Sequence, residues 1–193
     1  MEEWEEDQGW SGYTLAGLRW LIERSLVDVN QEDTNGSTIL DTVVRHSEKG
    51  AVEDMEKLLA FVTWLIDEKG ADVNDKDGNL DWAPLHVACS PFVGLLLDRG
   101  ASPRSLDYMG MTPLMAYVMH AEAACVARLL EHAEGRPTVN MQVHSCLNAG
   151  STALHLLGQM CPNTHVLDIK ETQVQTLELL LGAGADTTII DSR

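Results

Sequence analysis

Two short strings of residues that recur along the chain constrain its fold more than any other feature. In the first, a Gly-Ala pair follows an apolar helical stretch, at residues 70–71, 100–101 and 184–185. In the second, threonine or proline precedes leucine, as in Pro84-Leu85-His86, Thr112-Pro113-Leu114 and Thr152-Ala153-Leu154-His155. Glycine commonly ends a helix, and proline is well tolerated in the first turn of one. The strings therefore predict short helices that are separated by polar turns.

In this order and rough spacing, the strings resemble the ankyrin repeat, a unit of about 33 residues. The resemblance covers roughly residues 18–193 and implies an all-α ankyrin-repeat solenoid. Each repeat would contain a β-hairpin finger followed by a helix–turn–helix, with about four repeats after an N-terminal half-repeat. The implied bounds are an acidic tail over 1–13, a cap over 14–32, and repeats over about 33–76, 77–106, 107–140 and 141–193.

The resemblance also implies structural roles for the residues of the repeated motif. Threonine would cap the inner helix, proline would begin it, leucine would enter the core, and glycine would end the outer helix. Histidine and threonine side chains would bridge neighbouring turns. These residues are Thr38, Gly70, Pro84, Leu85, His86, Gly100, Thr112, Pro113, Leu114, Thr152, Leu154, His155 and Gly184.

Several segments depart from the family's pattern. Ser25 stands where the family prefers glycine, and the finger around Gly78 holds about two extra residues. The second repeat lacks about one helical turn, and we expect its corner at residues 89–91, because proline disfavours helix in the residue before it. Surplus residues at 47–57 predict longer helices or an acidic loop, and those at 158–172 predict a loop.

Composition limits the class of partner and the compartment. There are 30 acidic residues against 13 lysines and arginines, a formal net charge of −17, so nucleic acid and anionic membrane are disfavoured as partners. The acidic start is unlike a signal peptide, and no apolar run reaches the ~20 residues that cross a bilayer. The four cysteines lack a Cys-x-x-Cys pair and fit reduced thiols. We predict an intracellular protein, cytoplasmic or nuclear.

Catalytic and metal sites are weaker interpretations of the sequence. His86, Cys89 and Ser90 lie close together, but His86 already has a role in the repeat and no third group orients it. Side chains that can ligate zinc occur in the fourth repeat without the tight spacing of structural zinc sites, at His144, Cys146, His155, Cys161 and His165. We predict a protein that is not an enzyme, with no catalytic, cofactor or metal site.

The favoured function is binding of a protein through the concave face of the stack. Residues that flank the finger glycines should face a partner, and the middle two fingers contain aromatic residues and methionine, which are enriched at interfaces. The predicted contacts are Asn35, Ser37, Leu80, Asp81, Trp82, Tyr108, Met109, Met111 and Ser151. Trp82 and Met111 are the expected anchors within an acidic rim. The alternative for Trp82 is that it folds into the core.

Three further interpretations remain open in the sequence. The tail over 1–13, with Trp4, Trp10 and Tyr13, either stays solvated or docks on a partner or on the repeats. Asparagines after valine, at Asn30, Asn74 and Asn140, resemble hydroxylated asparagines of the family, although shaping of the hairpins is the favoured role. The last helix has no successor in the sequence, so either the natural chain continues beyond Arg193 or this end pairs with another surface by end-to-end association. The alternative function is a recruiting or inhibitory subunit of a larger enzyme complex, of the ubiquitin-ligase or kinase type.

Overall fold

The computed structural model of the chain describes residues 15–46, 52–143, 149–159 and 171–191. These residues form helices in the order α1 (Leu15–Glu23), α2 (Ile39–His46), α3 (Val52–Asp67), α4 (Pro84–Val87), α5 (Ser90–Asp98), α6 (Pro113–Met119), α7 (Ala123–Glu131), a 3₁₀ helix (Arg136–Asn140), α8 (Ala153–Gln159) and α9 (Glu171–Gly182). Within the described part of the chain, no helix is both long and apolar enough to cross a bilayer. The acidic tail lies outside the described residues.

The helices after α1 form two stacked layers. The inner layer runs α2, α4, α6 and α8, and the outer layer runs α3, α5, α7 and α9; within each layer, every helix packs on the next. Each inner helix also packs on the outer helix that follows it in sequence. The apolar core lies between the layers and is continuous along the stack. The predicted all-α solenoid of stacked helix pairs is confirmed.

A tight turn precedes each of the inner helices α2, α4 and α6 and forms the finger of its helix pair. The Asp33 amide donates to the Ser37 carbonyl oxygen at 2.9 Å, and the Asp107 amide donates to that of Met111 at 3.0 Å. The Asp33 carboxylate also accepts the backbone amides of Asn35 and Ser37, at 2.7 and 3.0 Å. The turns that begin at Asp33, Asp77 and Asp107 are therefore each closed by two backbone bonds and an aspartate side chain, and they contain no assigned strand.

The outer helices α3, α5 and α9 are followed by a residue with left-handed backbone, whereas His132 after α7 has a φ of −78°. Gly70, Gly100 and Gly184 have φ of 72°, 87° and 93°, and Ser25 takes the same conformation at 54° after α1. The next amide, that of Leu26, donates to the Leu21 carbonyl oxygen at 3.1 Å, as a helix-ending glycine motif requires. Ser25 thus performs the role of the family's glycine in a conformation that a side chain opposes.

Asparagine side chains join each of three helix ends to the next unit of the stack. The Asn30 side chain donates to the Gly70 carbonyl oxygen at 3.0 Å and accepts the Asp72 amide at 2.9 Å. Asn74 and Asn140 make the same two bonds to residues 100 and 102 and to residues 184 and 186. The sequence predicted that these asparagines shape their own hairpins. That prediction is corrected, because their side chains bridge neighbouring units of the stack.

The second helix pair is the shortest, because α4 has four residues. In a longer helix the Cys89 amide would donate to the Leu85 carbonyl oxygen, but it donates to that of Val44 at 3.3 Å. The buried hydroxyl of Tyr117 donates to the Leu85 carbonyl oxygen instead. Burial raises the pKa of Tyr117 well above its ordinary value, so the hydroxyl keeps the proton that it donates.

The corner and the insertions differ in part from expectation. Pro91 does not form the corner; it lies in the first turn of α5, where its missing amide costs nothing, and the extended Cys89 precedes that helix. The surplus residues 52–57 belong to α3, which is 16 residues long. Residues 47–51 and 160–170 lie outside the described chain.

Replacing Ser25 with glycine is expected to stabilise the protein. A left-handed backbone costs a residue with a side chain roughly 1–2 kcal/mol, and glycine adopts it freely. We expect Ser25→Gly to raise the free energy of unfolding by about 1 kcal/mol in urea denaturation. The control Ser105→Gly, at a position without positive φ, should bring no gain. Equal effects of the two substitutions would contradict this account of the helix end.

Removing the Tyr117 hydroxyl is expected to destabilise the second helix pair. Tyr117→Phe leaves the Leu85 carbonyl without the hydroxyl donor in a buried site, which should cost about 1–3 kcal/mol of unfolding free energy. Tyr108→Phe is the matched control, since Tyr108 is exposed, and should change stability by less than about 0.5 kcal/mol. A Tyr117→Phe variant as stable as the parent would show that the short helix needs no such donor.

Candidate functional site

The fingers of the first three helix pairs touch one another and form a continuous ledge at one edge of the inner layer. We call residues 33–37, 77–82 and 107–111 fingers 1, 2 and 3. The Asn79 side chain donates to the Asn35 carbonyl oxygen at 3.0 Å. A β-carbon added to Gly36 would lie 2.1 Å from the Gly78 nitrogen, so fingers 1 and 2 meet through bare backbone. The Tyr108 amide donates to the Leu80 carbonyl oxygen at 3.0 Å and joins finger 3 to finger 2.

Finger 2 contains one more residue between its closing pair than fingers 1 and 3. It closes from the Asp77 amide to the Trp82 carbonyl oxygen at 3.0 Å. In fingers 1 and 3 a glycine with positive φ precedes the closing residue, at Gly36 and Gly110, but in finger 2 this position is Asp81, with φ of 54°. The sequence expectation of about two extra residues around Gly78 is therefore corrected, and Asp81 is the equivalent of the finger glycine.

Trp82 is half-buried, which differs from both alternatives that the sequence left open. Its indole nitrogen donates to the Asp107 carboxylate at 3.3 Å. The Arg45 guanidinium lies 5.6 Å from the ring centroid and 3.3 Å from the Asp77 carboxylate. Residues of three units therefore fix the indole ring while part of it stays accessible. Sequence reasoning missed Arg45, because its distance in sequence from the finger gives no signal of this contact.

The predicted contact residues differ in how much of each side chain reaches solvent. Tyr108 is 60% exposed, and Asp81 and Asn35 are also exposed. Leu80, Met109, Met111 and Ser37 are half-buried, and Met111 packs partly against the core. Ser151 is buried, so its predicted position on the accessible face is wrong: it closes the fourth finger, where its carbonyl oxygen accepts the Val143 amide at 2.8 Å.

The exposed charges on the ledge are carboxylates. The pKa of Asp33 is held below its ordinary value because its side chain accepts the backbone amides of Ser37 and Asn35. Two nearby cations are already engaged within the chain: Arg45 pairs with Asp77, and the Lys76 ammonium donates to the Leu106 carbonyl oxygen at 2.6 Å. The ledge therefore offers aromatic surface beside negative charge.

His86 has both ring nitrogens engaged by backbone. Nδ1 accepts the Ala83 amide at 3.1 Å, and Nε2 lies 3.3 Å from the Met111 carbonyl oxygen of finger 3. Burial is the largest influence on the pKa of His86 and lowers it, so the ring is neutral, with its proton on Nε2. The geometry gives His86 a bridging role and leaves no nitrogen to act as a base toward Cys89 or Ser90.

The zinc-type side chains of the fourth repeat mostly lie outside the described residues. His144, Cys146, Cys161 and His165 fall in the undescribed stretches, while His155 contacts the Thr152 hydroxyl at 2.9 Å. In the described ranges, no group of three or more histidine, cysteine or acidic side chains is placed to hold a metal ion.

Comparison with known proteins agrees with this architecture. A family model of ankyrin repeats (3 copies) matches residues 50–141. B-cell lymphoma 3 protein of Homo sapiens is 31% identical over 174 residues, which are 88% of this chain and 34% of that protein. Its Mus musculus homologue is 29% identical over 163 residues, 82% of this chain and 32% of the homologue. The chain therefore spans about a third of the length of these relatives.

A solved structure shows the same fold. The crystal structure of EF0377, an ankyrin-repeat protein, superposes with a TM-score of 0.66 at 21% identity and covers 92% of this chain and 80% of that one. Ankyrin repeats generally serve as protein-interaction modules. The recurring strings, the two helical layers and these matches show that the chain belongs to the ankyrin-repeat proteins.

Proposed function

We propose that the chain is a non-catalytic module that binds a protein partner through the ledge of fingers 1 to 3. The observation that carries the proposal is the junction of fingers 2 and 3, where the exposed Tyr108, the half-buried Trp82 and the exposed Asp81 lie on backbone that is hydrogen-bonded together. Aromatic side chains on a fixed support lose little conformational entropy on binding and often dominate an interface.

Asp81 supports a binding role because its conformation is costly. Fingers 1 and 3 place glycine at this position, as does Gly150 of the fourth finger, and each has positive φ. A strained residue with a side chain, kept where glycine would relieve the strain, is characteristic of sites at which function opposes stability. If Asp81 serves binding at the expense of stability, its exposed carboxylate is the group that would contact the partner.

Charge indicates the chemistry of the partner. The chain has a net charge of −17, and the exposed ledge contributes Asp33 and Asp81. A partner segment rich in lysine or arginine would gain from the carboxylates and could place a cation on the Tyr108 or Trp82 ring. We infer a basic protein segment as ligand, recognised in the cytoplasm or nucleus.

The first test identifies the partner by photo-crosslinking. A photoreactive amino acid replaces Tyr108 on the ledge, and a matched one replaces the exposed Asp98 on the outer layer. We expect position 108, and not position 98, to crosslink a protein in cells, and the crosslinked segment to be basic. Crosslinks of equal yield at both positions would contradict a specific ledge.

Substitutions then separate binding from folding. Against the identified partner, calorimetry should show that Trp82→Ala and Tyr108→Ala each weaken affinity by at least about 1 kcal/mol. Asp81→Gly should weaken binding while raising the melting temperature of the free chain, because it removes a carboxylate and relieves strain. Met119→Ala, an exposed residue at the other end of α6, is the control. Unchanged affinity in all three ledge variants would refute the proposal.

A further inference from the structure

The fourth residue of each inner-helix motif makes the same hydrogen bond in α2, α4, α6 and α8. Its side chain accepts the backbone amide of the residue three positions earlier, which precedes the helix. The acceptor atoms are Asp41 Oδ2 at 3.0 Å, His86 Nδ1 at 3.1 Å, Met115 Sδ at 3.5 Å and His155 Nδ1 at 3.2 Å. Asp41 therefore stands in α2 where the repeated motif has histidine.

His86 shows what the second polar atom at this position does. Its Nε2, which holds the proton of the neutral ring, lies 3.3 Å from the carbonyl oxygen of Met111, the residue that closes finger 3. One helix pair earlier, the corresponding carbonyl is that of Trp82, which closes finger 2. A carboxylate cannot donate to a carbonyl oxygen, but a protonated carboxyl can. Asp41 can therefore bridge its seam as His86 does only when it is protonated.

The Asp41 carboxyl is buried, and only one of its oxygens has a donor. The residue is 1% exposed. Oδ2 accepts the amide and the hydroxyl of Thr38, at 3.0 and 2.9 Å. Oδ1 is buried too, and no group in the described ranges of the chain donates to it. Burial of an ionised oxygen without a donor is costly, whereas a proton on Oδ1 removes the charge and makes this oxygen a donor.

Burial is the largest influence on the pKa of the Asp41 carboxyl, and it raises that pKa. The hydrogen bonds from Thr38 and the Arg45 guanidinium lower the pKa, and the carboxylate of Asp75 raises it further. The net direction is upward, so the surroundings favour the neutral acid over the carboxylate. Arg45 compensates an ionised Asp41 only in part, because its guanidinium also pairs with Asp77 at 3.3 Å.

The other elements beside α2 place no buried cation near Asp41 in the part of the chain that the structure describes. On α4, the ring of His86 is neutral and both of its nitrogens are engaged. On α1, the exposed Arg19 pairs with Glu23. The described charged side chains of α3 are exposed, and they belong to Glu56, Lys57 and Asp67.

We infer that Asp41 is a proton-dependent bridge between the first two helix pairs. In the folded chain its carboxyl holds a proton on Oδ1 and donates toward the Trp82 carbonyl oxygen, as Nε2 of His86 does toward that of Met111. Loss of the proton leaves a buried carboxylate beside Asp75 and removes the donor, so this seam weakens as pH rises. Finger 2 is part of the ledge, and the support of the ledge therefore depends on pH whether or not it binds a partner.

The direction of the pH dependence follows from the higher pKa of Asp41 in the folded chain. In the unfolded chain an aspartate has a pKa of about 3.9, so between this value and the folded-state pKa the folded chain holds the extra proton. The contribution of Asp41 to stability is full below the unfolded value and is lost as pH rises through the folded-state pKa. Lowered pKa values act in the opposite sense at Asp33, Asp67 and Asp186, so a variant at position 41 is needed to isolate the effect.

Urea denaturation of the full chain from about pH 4 to about pH 8 measures this contribution. Asp41→Asn keeps an oxygen for the Thr38 donors and presents an N–H where the proton would lie, so it imitates the protonated form at every pH. We expect the unfolding constant of the wild type, divided by that of the variant, to rise by up to about tenfold per pH unit until Asp41 is ionised. The same ratio for Glu32→Gln, an exposed control, should stay constant. A constant ratio for Asp41→Asn would overturn the inference.

Carbon-13 NMR of the wild type locates the proton directly, even where a variant fails to fold. The Asp41 carboxyl carbon should titrate above the ordinary aspartate value, and the carbonyl carbon of Trp82 should shift with the same midpoint because it loses its donor. The carbonyl carbon of Met111, which His86 bridges, should not follow that midpoint. An Asp41 carboxyl that titrates at or below about 3.9, or a Trp82 carbonyl that stays unchanged while Asp41 ionises, would show that no such bridge exists.

Discussion

Packing of one helix pair on the next is the interaction on which the rest of the structure depends. A pair of short helices cannot bury its own apolar sides, and the core of this protein is continuous only because neighbours cover one another. The asparagine bridges also constrain how neighbouring units are placed relative to each other. Asn74, for example, both donates to Gly100 and accepts from Ser102, so it fixes the height and the orientation of the following unit.

The irregular units show how the stack tolerates departures from its repeat. Where α4 is one turn short, the Tyr117 hydroxyl of the next inner helix satisfies the Leu85 carbonyl. In the second helix pair, Arg104 occupies the position of the bridging asparagine. The outer layer supplies another contact between the second and third pairs, in which Asp98 lies 3.2 Å from His132. Each defect is compensated by a neighbouring unit, as expected when stability is shared along the stack.

Sequence reasoning predicted the layers well and the fingers less well, for a physical reason. Glycine and proline strings mark helix ends through local backbone preferences, so the order of helices could be predicted from short stretches. The register of finger 2 depends on which carbonyl oxygen accepts the Asp77 amide. From the sequence, Gly78 was expected to be the finger glycine, but Asp81 occupies that position in the structure. The burial of Trp82 depends on Arg45 and Asp107, which lie in other units and leave no local trace.

The candidate binding ledge follows from the same packing. Its fingers are held at the spacing of the inner helices, and the bonds between Asn79 and Asn35 and between Tyr108 and Leu80 join them into one surface. A binding site of this kind is built by several units at once. Weakening one seam should therefore disturb the ledge even when no ledge residue is changed.

Hydrogen exchange at the Ser102 amide tests most directly whether asparagine bridges hold neighbouring units together. This amide donates to the Asn74 side chain at 2.8 Å, and the Asp186 amide makes the equivalent bond to Asn140. In Asn74→Ala, we predict that Ser102 loses its protection while Asp186 keeps it, and that the free energy of unfolding falls by about 1–2 kcal/mol. Unchanged exchange at Ser102 together with unchanged stability would contradict the account.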